Sequence, residues 1–415
     1  MRAAFAWLRT YRGLTGVGVL CVVALGLGFA TGFWLLFRLG YVLGAVIIAA
    51  YAWSRYNLSG LEVEVSRFGD RAQVGQVAQE RITVRNRGLF PRIWLEVDDP
   101  SDLPGHHGHR VITLGARRLR TWRIQTRLSR RGVYRIGPLR VAGGDPFGLF
   151  RIERAYGRAG QVIVYPPFVD LASFQVPPAS LPGEGRYRKR THYVTPNASG
   201  VREYVPGDSF NRIHWRTTAR TGRLMVKTFE LDPASDIWVV LDLERRWHAG
   251  TGDESTEEYA VKVAASVARH FLVQNRNVGY MAFGDRLEII EVERGPQQMT
   301  HILEALATCR AGGDVPLADL LAVEGKRFGR HTTVVVVTPS TDERWIASLQ
   351  MLTSRGVKAA AALLEASTFG GPHDAIQAIA TLTAADIFTY LVKQGADLST
   401  SLTPGLDTAP AAPPG

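Results

Sequence analysis

Cysteine is almost missing: 415 residues contain two, Cys21 and Cys309. That excludes a secreted fold held together by a disulfide framework, and it agrees with a reducing compartment. No Gly-x-x-x-x-Gly-Lys-Ser/Thr run occurs, so the chain has no phosphate loop for nucleotide hydrolysis. No Gly-x-Ser-x-Gly turn occurs either, which removes the nucleophile elbow of a serine hydrolase. Asp208, Ser209 and His214 lie within one short stretch, whereas a catalytic triad gathers its members from distant segments. His214 therefore reads as a packed or hydrogen-bonded residue, and the chain reads as a non-enzyme. With 46% hydrophobic and 21% charged residues it has material for two or three domains with cores of their own.

Charge is scarcest near the start. Residues 14–53 carry one charged side chain, Arg38, in forty positions. A spanning helix needs about 20 apolar residues, so this stretch predicts a hairpin of two transmembrane helices within residues 1–57, turning near Ala30 to Gly32. A cleaved signal peptide would be shorter and would end on a small-residue cleavage site. Arg38 can snorkel from inside the second helix. Trp34, Tyr41, Tyr51 and Trp53 suit an interfacial belt. Arg2, Arg9 and Arg12 precede the pair and Arg55, Arg67 and Arg71 follow it. Both flanks then face the cytoplasm, placing a two-helix protein in the cell membrane. The net charge of +11 suits an anionic inner leaflet or a nucleic acid.

From Leu61 to Pro166 the pattern changes to short alternating runs, "LEVEV", "RITVRN", "RIWLEV", "RVITL", "RTWRIQTRL", "VYRIGPLRV", "LFRIERA" and "QVIVYPP". Period-two apolarity between Gly and Pro predicts an immunoglobulin-like β-sandwich over residues 58–168. The loop "SDLPGHHGHR" offers His106, His107 and His109, which read as a solvated turn rather than a metal site. Residues 169–235 form a connector. Over 236–395, strands alternate with amphipathic helices, which predicts a doubly wound α/β domain. Ser255 and Glu258 fit a capping box, "AADIFTYLV" reads as a last helix, and 396–415 as a disordered tail.

In an open α/β sheet, ligands bind beyond the carboxyl ends of the strands. Asp242, Asp314 and Asp342 stand at such positions, and three converging carboxylates would suit Mg²⁺. This half resembles a von Willebrand factor A domain, whose metal site takes Asp-x-Ser-x-Ser, a later Thr and a later Asp. Here the stretch reads "DLERR", with Glu244 and Arg246 at the hydroxyl positions and Asp314 and Val315 where the Thr would be. A guanidinium repels a divalent cation. The reading is therefore metal-free and needs no cofactor, with Asp242 paired to Arg245 or Arg246; a metal-dependent binding module is the alternative.

The segment "REYVPGD" followed by "RIHWRTTARTGRLMV" is similar to the signature of the bacterial domain of unknown function 58 family, and "GDPFGLF" and "RGVYRIGPL" look like its upstream sandwich. His214 stands where that family usually has Asp. The resemblance implies a partner, an AAA+ ATPase of the MoxR type, which would supply the hydrolysis this chain lacks. The signature residues are Arg202, Glu203, Tyr204, Gly207, Asp208, Arg212, Trp215, Arg220 and Gly222, in a structural or interaction role. Asp208 is placed to cap a short helix ending near Gly222, with Arg212, Arg216 and Arg220 on one face and Ile213 and Trp215 as buried anchors. Residues 183–230 hold ten Lys or Arg against four acids with aromatics between them, which suits nucleic acid. No recognised module surrounds them, so that reading ranks below a membrane-anchored scaffold binding a partner through its α/β domain.

Overall fold

The computed structural model describes residues 12–171, 174–176, 198–205, 213–229 and 236–403. The chain forms two compact units, Met1–Pro167 and Phe168–Gly415.

The first unit opens with two apolar helices, Arg12–Thr31 and Trp34–Asn57. Both are long and apolar enough to cross a membrane. Gly32, at φ 69°, makes the turn between them, a conformation that only glycine adopts freely. The helices are in tight contact at Gly40, where an added Cβ would clash with the Leu25 side chain. Gly40→Leu should therefore overpack the pair and cost the hairpin about 1 to 3 kcal/mol, read from SDS unfolding of the purified chain. An unchanged curve would mean that the two helices do not rely on this contact. The Arg38 guanidinium lies 4.3 Å from the ring centroid of Trp34, the first residue of its helix.

The rest of this unit is β-rich. Along Val77–Asn86 every second residue is buried, as expected of a strand with one face in a core. That strand pairs with Leu61–Ser66 and Leu119–Arg127. A second sheet holds Arg110–Leu114, Arg92–Asp98, Leu139–Gly144 and Arg151–Tyr156 in that order. Ile82, Val84 and Trp122 of the first sheet share a core with Leu95, Val97, Ile112, Leu139 and Val141 of the second. A third sheet, Arg71–Gln73, Gly160–Tyr165 and Gly132–Ile136, packs Ile136, Val162 and Val164 with Ala78 and Leu128. The run "VYRIGPLRV", read above as one strand, is two. Pro138 has no N–H to extend a ladder and Gly137 turns at φ 71°, so the halves join different sheets.

The second unit holds a six-stranded sheet of β1 (Asp236–Asp242), β2 (Val278–Phe283), β3 (Leu287–Glu293), β4 (Thr332–Thr338), β5 (Lys358–Leu364) and β6 (Phe388–Val392). The spatial order is β3-β2-β1-β4-β5-β6, and β3 is the antiparallel edge. β1 and β4 are buried nearly throughout, as central parallel strands must be. Helices α1 (Thr256–Val273), α2 (Pro296–Thr308), α3 (Leu317–Glu324), α4 (Glu343–Ser354) and α5 (Ile376–Ala384) connect them. Ser255 caps α1 as expected, accepting from Glu258 N–H at 3.3 Å. Trp345 and Leu349 of α4, Leu320 of α3 and Leu382 of α5 close one face of the sheet.

Two expectations fail here. "AADIFTYLV" is not a helix, because its β-forming Phe388, Tyr390 and Val392 extend the sheet from β5 as β6. Nor does order end at Gly395. Asp397 caps a turn of helix, Leu398–Ser401, and buries Leu398 and Leu402. Residues 404–415 of the expected tail lie outside the described residues.

Candidate functional site

The order β3-β2-β1-β4-β5-β6 reverses between β1 and β4, so the chain leaves these adjacent strands in opposite directions and opens a crevice at their carboxyl ends. Asp242 ends β1 and Thr338 ends β4. The Thr338 hydroxyl donates to Asp242 Oδ2 at 2.5 Å, and Glu244 N–H donates to Oδ1 at 3.0 Å. Ser340 N–H reaches Thr338 Oγ1 at 2.8 Å, and the Ser340 hydroxyl oxygen accepts from Asp342 N–H at 3.2 Å. Trp345, packed beneath, donates its indole N–H to Ser340 O at 3.2 Å. This relay ties the ends of both central strands together. Burial drives the Asp242 carboxyl up to about 6, against the opposing pull of the Thr338 and Glu244 hydrogen bonds and the Arg246 charge.

Arg246 closes the crevice. Its Nε is paired with Glu244 Oε1, and a terminal nitrogen meets Asp342 Oδ2 at 3.1 Å. Arg344 binds the same Asp342 oxygen at 2.7 Å and holds that carboxyl below its usual range. Burial raises the Glu244 carboxyl, and Arg246 opposes it. The Arg246 guanidinium also lies over Trp247, 4.8 Å from its ring centroid, and Trp247 packs against His373 at 4.8 Å. Arg245 points elsewhere, to Gly312 O at 3.0 Å. Gly313 fits against the end of β2 because a Cβ there would stand 2.5 Å from Phe283 O.

Of the three candidate metal carboxylates, two belong to this arrangement. Asp242 is buried with both oxygens satisfied by protein donors, Asp342 caps α4 through Arg344 N–H, and Asp314 is exposed. They do not form a group close enough to share one ion, and a guanidinium spans the acids. These residues do not fit a divalent cation. The hydroxyls of Thr338 and Ser340 were not singled out from sequence; their signal was Thr and Ser at the end of an otherwise apolar run, "TTVVVVTPS".

A second polar cluster lies in the β-rich unit. Glu80, on the buried face of its strand, lies with Asp99 and His106, and the three offer ligand atoms within 4.8 Å of one another. Arg67 binds Glu80 Oε1 at 3.3 Å and Asp99 Oδ1 at 2.9 Å. His106 bridges Thr126 Oγ1 at 3.0 Å and Asp99 O at 3.2 Å. The His-rich loop is thus no solvated turn throughout: His106 is buried, whereas His107 and His109 are exposed. A cation already holds both carboxylates, so this donor set also fits a divalent ion poorly.

The signature segment is a β-hairpin, Ala198–Glu203 with Met225–Phe229, enclosing the helix Trp215–Thr221. His214 caps that helix, its Nδ1 accepting from Thr217 N–H at 3.3 Å. The helix begins at Trp215, and Gly207, Asp208 and Arg212, including the capping role expected of Asp208, lie outside the described residues. Gly222 ends the helix at φ 69° as expected. Glu203 pairs with Arg223 at 3.4 Å, Tyr204 donates its N–H to Leu224 O, and Arg202 pairs through its backbone with Val226. Arg216 and Arg220 are exposed. Ile213 is buried, but Trp215 is 67% exposed and is no anchor. The inward position belongs to Ile213, which bridges to Val226, while Trp215 opens the helix on the solvent side. Trp215→Ala should therefore change stability by less than about 0.5 kcal/mol; a loss several times larger in thermal unfolding would put the anchor back.

Two apolar helices able to span a membrane, a β-rich unit and an α/β unit with a polar cluster at its switch point define a modular protein. Residues 200–366 match the family described as "Protein of unknown function DUF58". Over 327 residues the chain is 26% identical to "Uncharacterized protein YeaD" of Bacillus subtilis, covering 76% of this chain and 78% of that one. A shorter likeness to "Uncharacterized protein Rv1480" of Mycobacterium tuberculosis, 28% over 134 residues, covers 32% of this chain and 37% of the relative. The CARDB domain of PF1109 from Pyrococcus furiosus is 19% identical over 25% of this chain and 91% of that one, with a TM-score of 0.20, too slight a likeness to bear on fold or function.

Proposed function

We propose that this is a membrane-anchored scaffold of the domain of unknown function 58 family: a transmembrane hairpin, an immunoglobulin-like β-sandwich and a von Willebrand A-like domain, the soluble parts in the cytoplasm. Its switch-point face binds a partner protein without a metal ion. The observation that carries this reading is Arg246, whose guanidinium spans Glu244 and Asp342 where a cation would be needed. Arg246 offsets part of the acidic charge there, and it lies together with Trp247 and His373 near the surface. Aromatic and arginine side chains of this kind dominate protein interfaces. The antiparallel edge strand and the placement of Asp242 and Asp342 support the von Willebrand A-like assignment.

The partner is an AAA+ ATPase of the MoxR type, as the signature resemblance implies, and hydrolysis belongs to that partner. Crosslinking in native membranes with nucleotide present, followed by affinity purification, tests this. The wild-type chain should recover such an ATPase and Trp247→Ala should recover at least tenfold less; recovery of no ATPase by the wild type would defeat the partner assignment.

A further inference from the structure

The β-rich unit is built onto the end of the helical hairpin. Over the last two turns of the second helix Ala50, Ser54 and Asn57 are buried. Asn57 Nδ2 donates to Ile93 O at 2.8 Å, Ile93 N–H donates back to Asn57 Oδ1 at 3.2 Å, and Arg92 binds Tyr56 O. The loop at residues 145–150 reaches both helices at this same end. Phe150 packs edge-on against Tyr51 at 5.4 Å, and Leu149 stands 3.5 Å from where a Cβ on Gly13 would be.

Four large apolar side chains surround this joint, and all are exposed: Leu89 66%, Phe90 64%, Trp94 60% and Phe147 66%. Phe90 is held beside the helix by Tyr56, ring centroids 6.0 Å apart. Trp94 is held outward by a backbone at φ 52°, within a register shift of its strand. A bulky residue at positive φ is strained, and such strain persists where the surroundings impose it. Arg117 and Arg118 lie beside them, Arg117 N–H bonding Gly88 O at 3.1 Å.

We infer that Leu89, Phe90, Trp94 and Phe147 form a collar that embeds in the headgroup and outer acyl region of the bilayer around the emerging helices. This rests on the reading that the hairpin spans a membrane. The second helix has 24 residues, about 36 Å at 1.5 Å per residue, against a hydrocarbon core about 30 Å thick. Its last turns therefore lie within or just beyond the acyl boundary. The joint at Tyr51 to Asn57 fixes the collar at that depth. Trp and Phe beside Arg suit an anionic interface, where the rings enter the boundary and the guanidinium groups meet lipid phosphates. A water-facing collar would leave this apolar group beside the bilayer yet outside it.

The test uses the full chain carrying Cys21→Ala and Cys309→Ala, with one new cysteine labelled by an environment-sensitive fluorophore in phosphatidylcholine and phosphatidylglycerol vesicles. Leu89→Cys should give blue-shifted emission, quenching by a nitroxide lipid labelled near the headgroup, and several-fold weaker iodide quenching than Arg158→Cys, an exposed site past the far end of Arg151–Tyr156. Val22→Cys, on the exposed surface of the first helix, reports whether the hairpin is in the bilayer. A label at Leu89 as open to iodide as that at Arg158, with Val22 quenched by lipid, overturns the collar and leaves the anchor standing. A label at Val22 open to iodide overturns both.

Discussion

Arg67→Met is expected to cost the β-rich unit about 3 to 5 kcal/mol, the usual penalty for removing one partner from a buried ionic cluster. Arg67 is itself 22% exposed, but Glu80 and Asp99 are almost wholly enclosed. Each carboxylate has one oxygen bonded by Arg67 and one, Glu80 Oε2 and Asp99 Oδ2, with no hydrogen-bond partner among the described residues. Burial and then the neighbouring Asp99 raise the Glu80 carboxyl, and Arg67 is the first influence pulling it down. Without the guanidinium, Glu80 takes a proton in the folded chain at a pH where the unfolded chain has none. The deficit of the variant should therefore be largest at high pH and shrink as pH falls through the raised folded-state range of Glu80, which lies above the ordinary glutamate value. Denaturant unfolding of wild type and variant at stepped pH reads this directly. An equal deficit at every pH would mean that Arg67 acts by packing rather than charge.

Asp242 should make the α/β unit less stable as pH rises. Its folded value lies near 6 against an ordinary 3.8, because burial disfavours the carboxylate. Between those values the folded chain holds a proton that the unfolded chain has released, so stability is greatest below about pH 4 and declines until about pH 6. The full difference is on the order of 3 kcal/mol and persists at neutral pH. Asp242→Asn should flatten that segment of the profile while leaving the Thr338 hydroxyl an acceptor. The gain at neutral pH will be smaller than 3 kcal/mol, since one amide oxygen replaces two carboxylate acceptors. A slope between pH 4 and 6 that survives the substitution would assign it to another group.

Much of this architecture is legible in the chain because periodicity reports burial. The forty-residue stretch with a single charge marks the two helices, and the Gly-containing turn between them falls where Ala30 to Gly32 place it. The apolar runs of β1 and β4 mark central parallel strands. What misleads are residues whose local preference yields to the surrounding fold. "AADIFTYLV" has helical neighbours, yet an open sheet edge beside β5 takes its aromatic and β-branched residues. Trp215 is large and apolar, but its position relative to Ile213 decides which of them faces inward.

The polar clusters are legible only in part for a different reason. Asp242, Glu244 and Arg246 lie within one turn of chain, so their proximity is readable, but Asp342 is 96 residues from Arg246 and Thr338 is 96 from Asp242. Nothing local states that an arginine will face an acid across a sheet. Arg67, Glu80 and the loop that carries Asp99 and His106 are three separate segments, and Glu80 reads as an ordinary surface acid until its strand's buried face is known. The His-rich loop draws the eye to three imidazoles, of which one is used.

The central claim is that Arg246 serves the crevice as its internal cation. Calorimetric titration of the purified full chain with Mg²⁺ tests it most directly. No saturable heat is expected from the wild type, and none from Asp242→Asn. A saturable heat from the wild type that disappears in Asp242→Asn would show a working metal site and contradict the account.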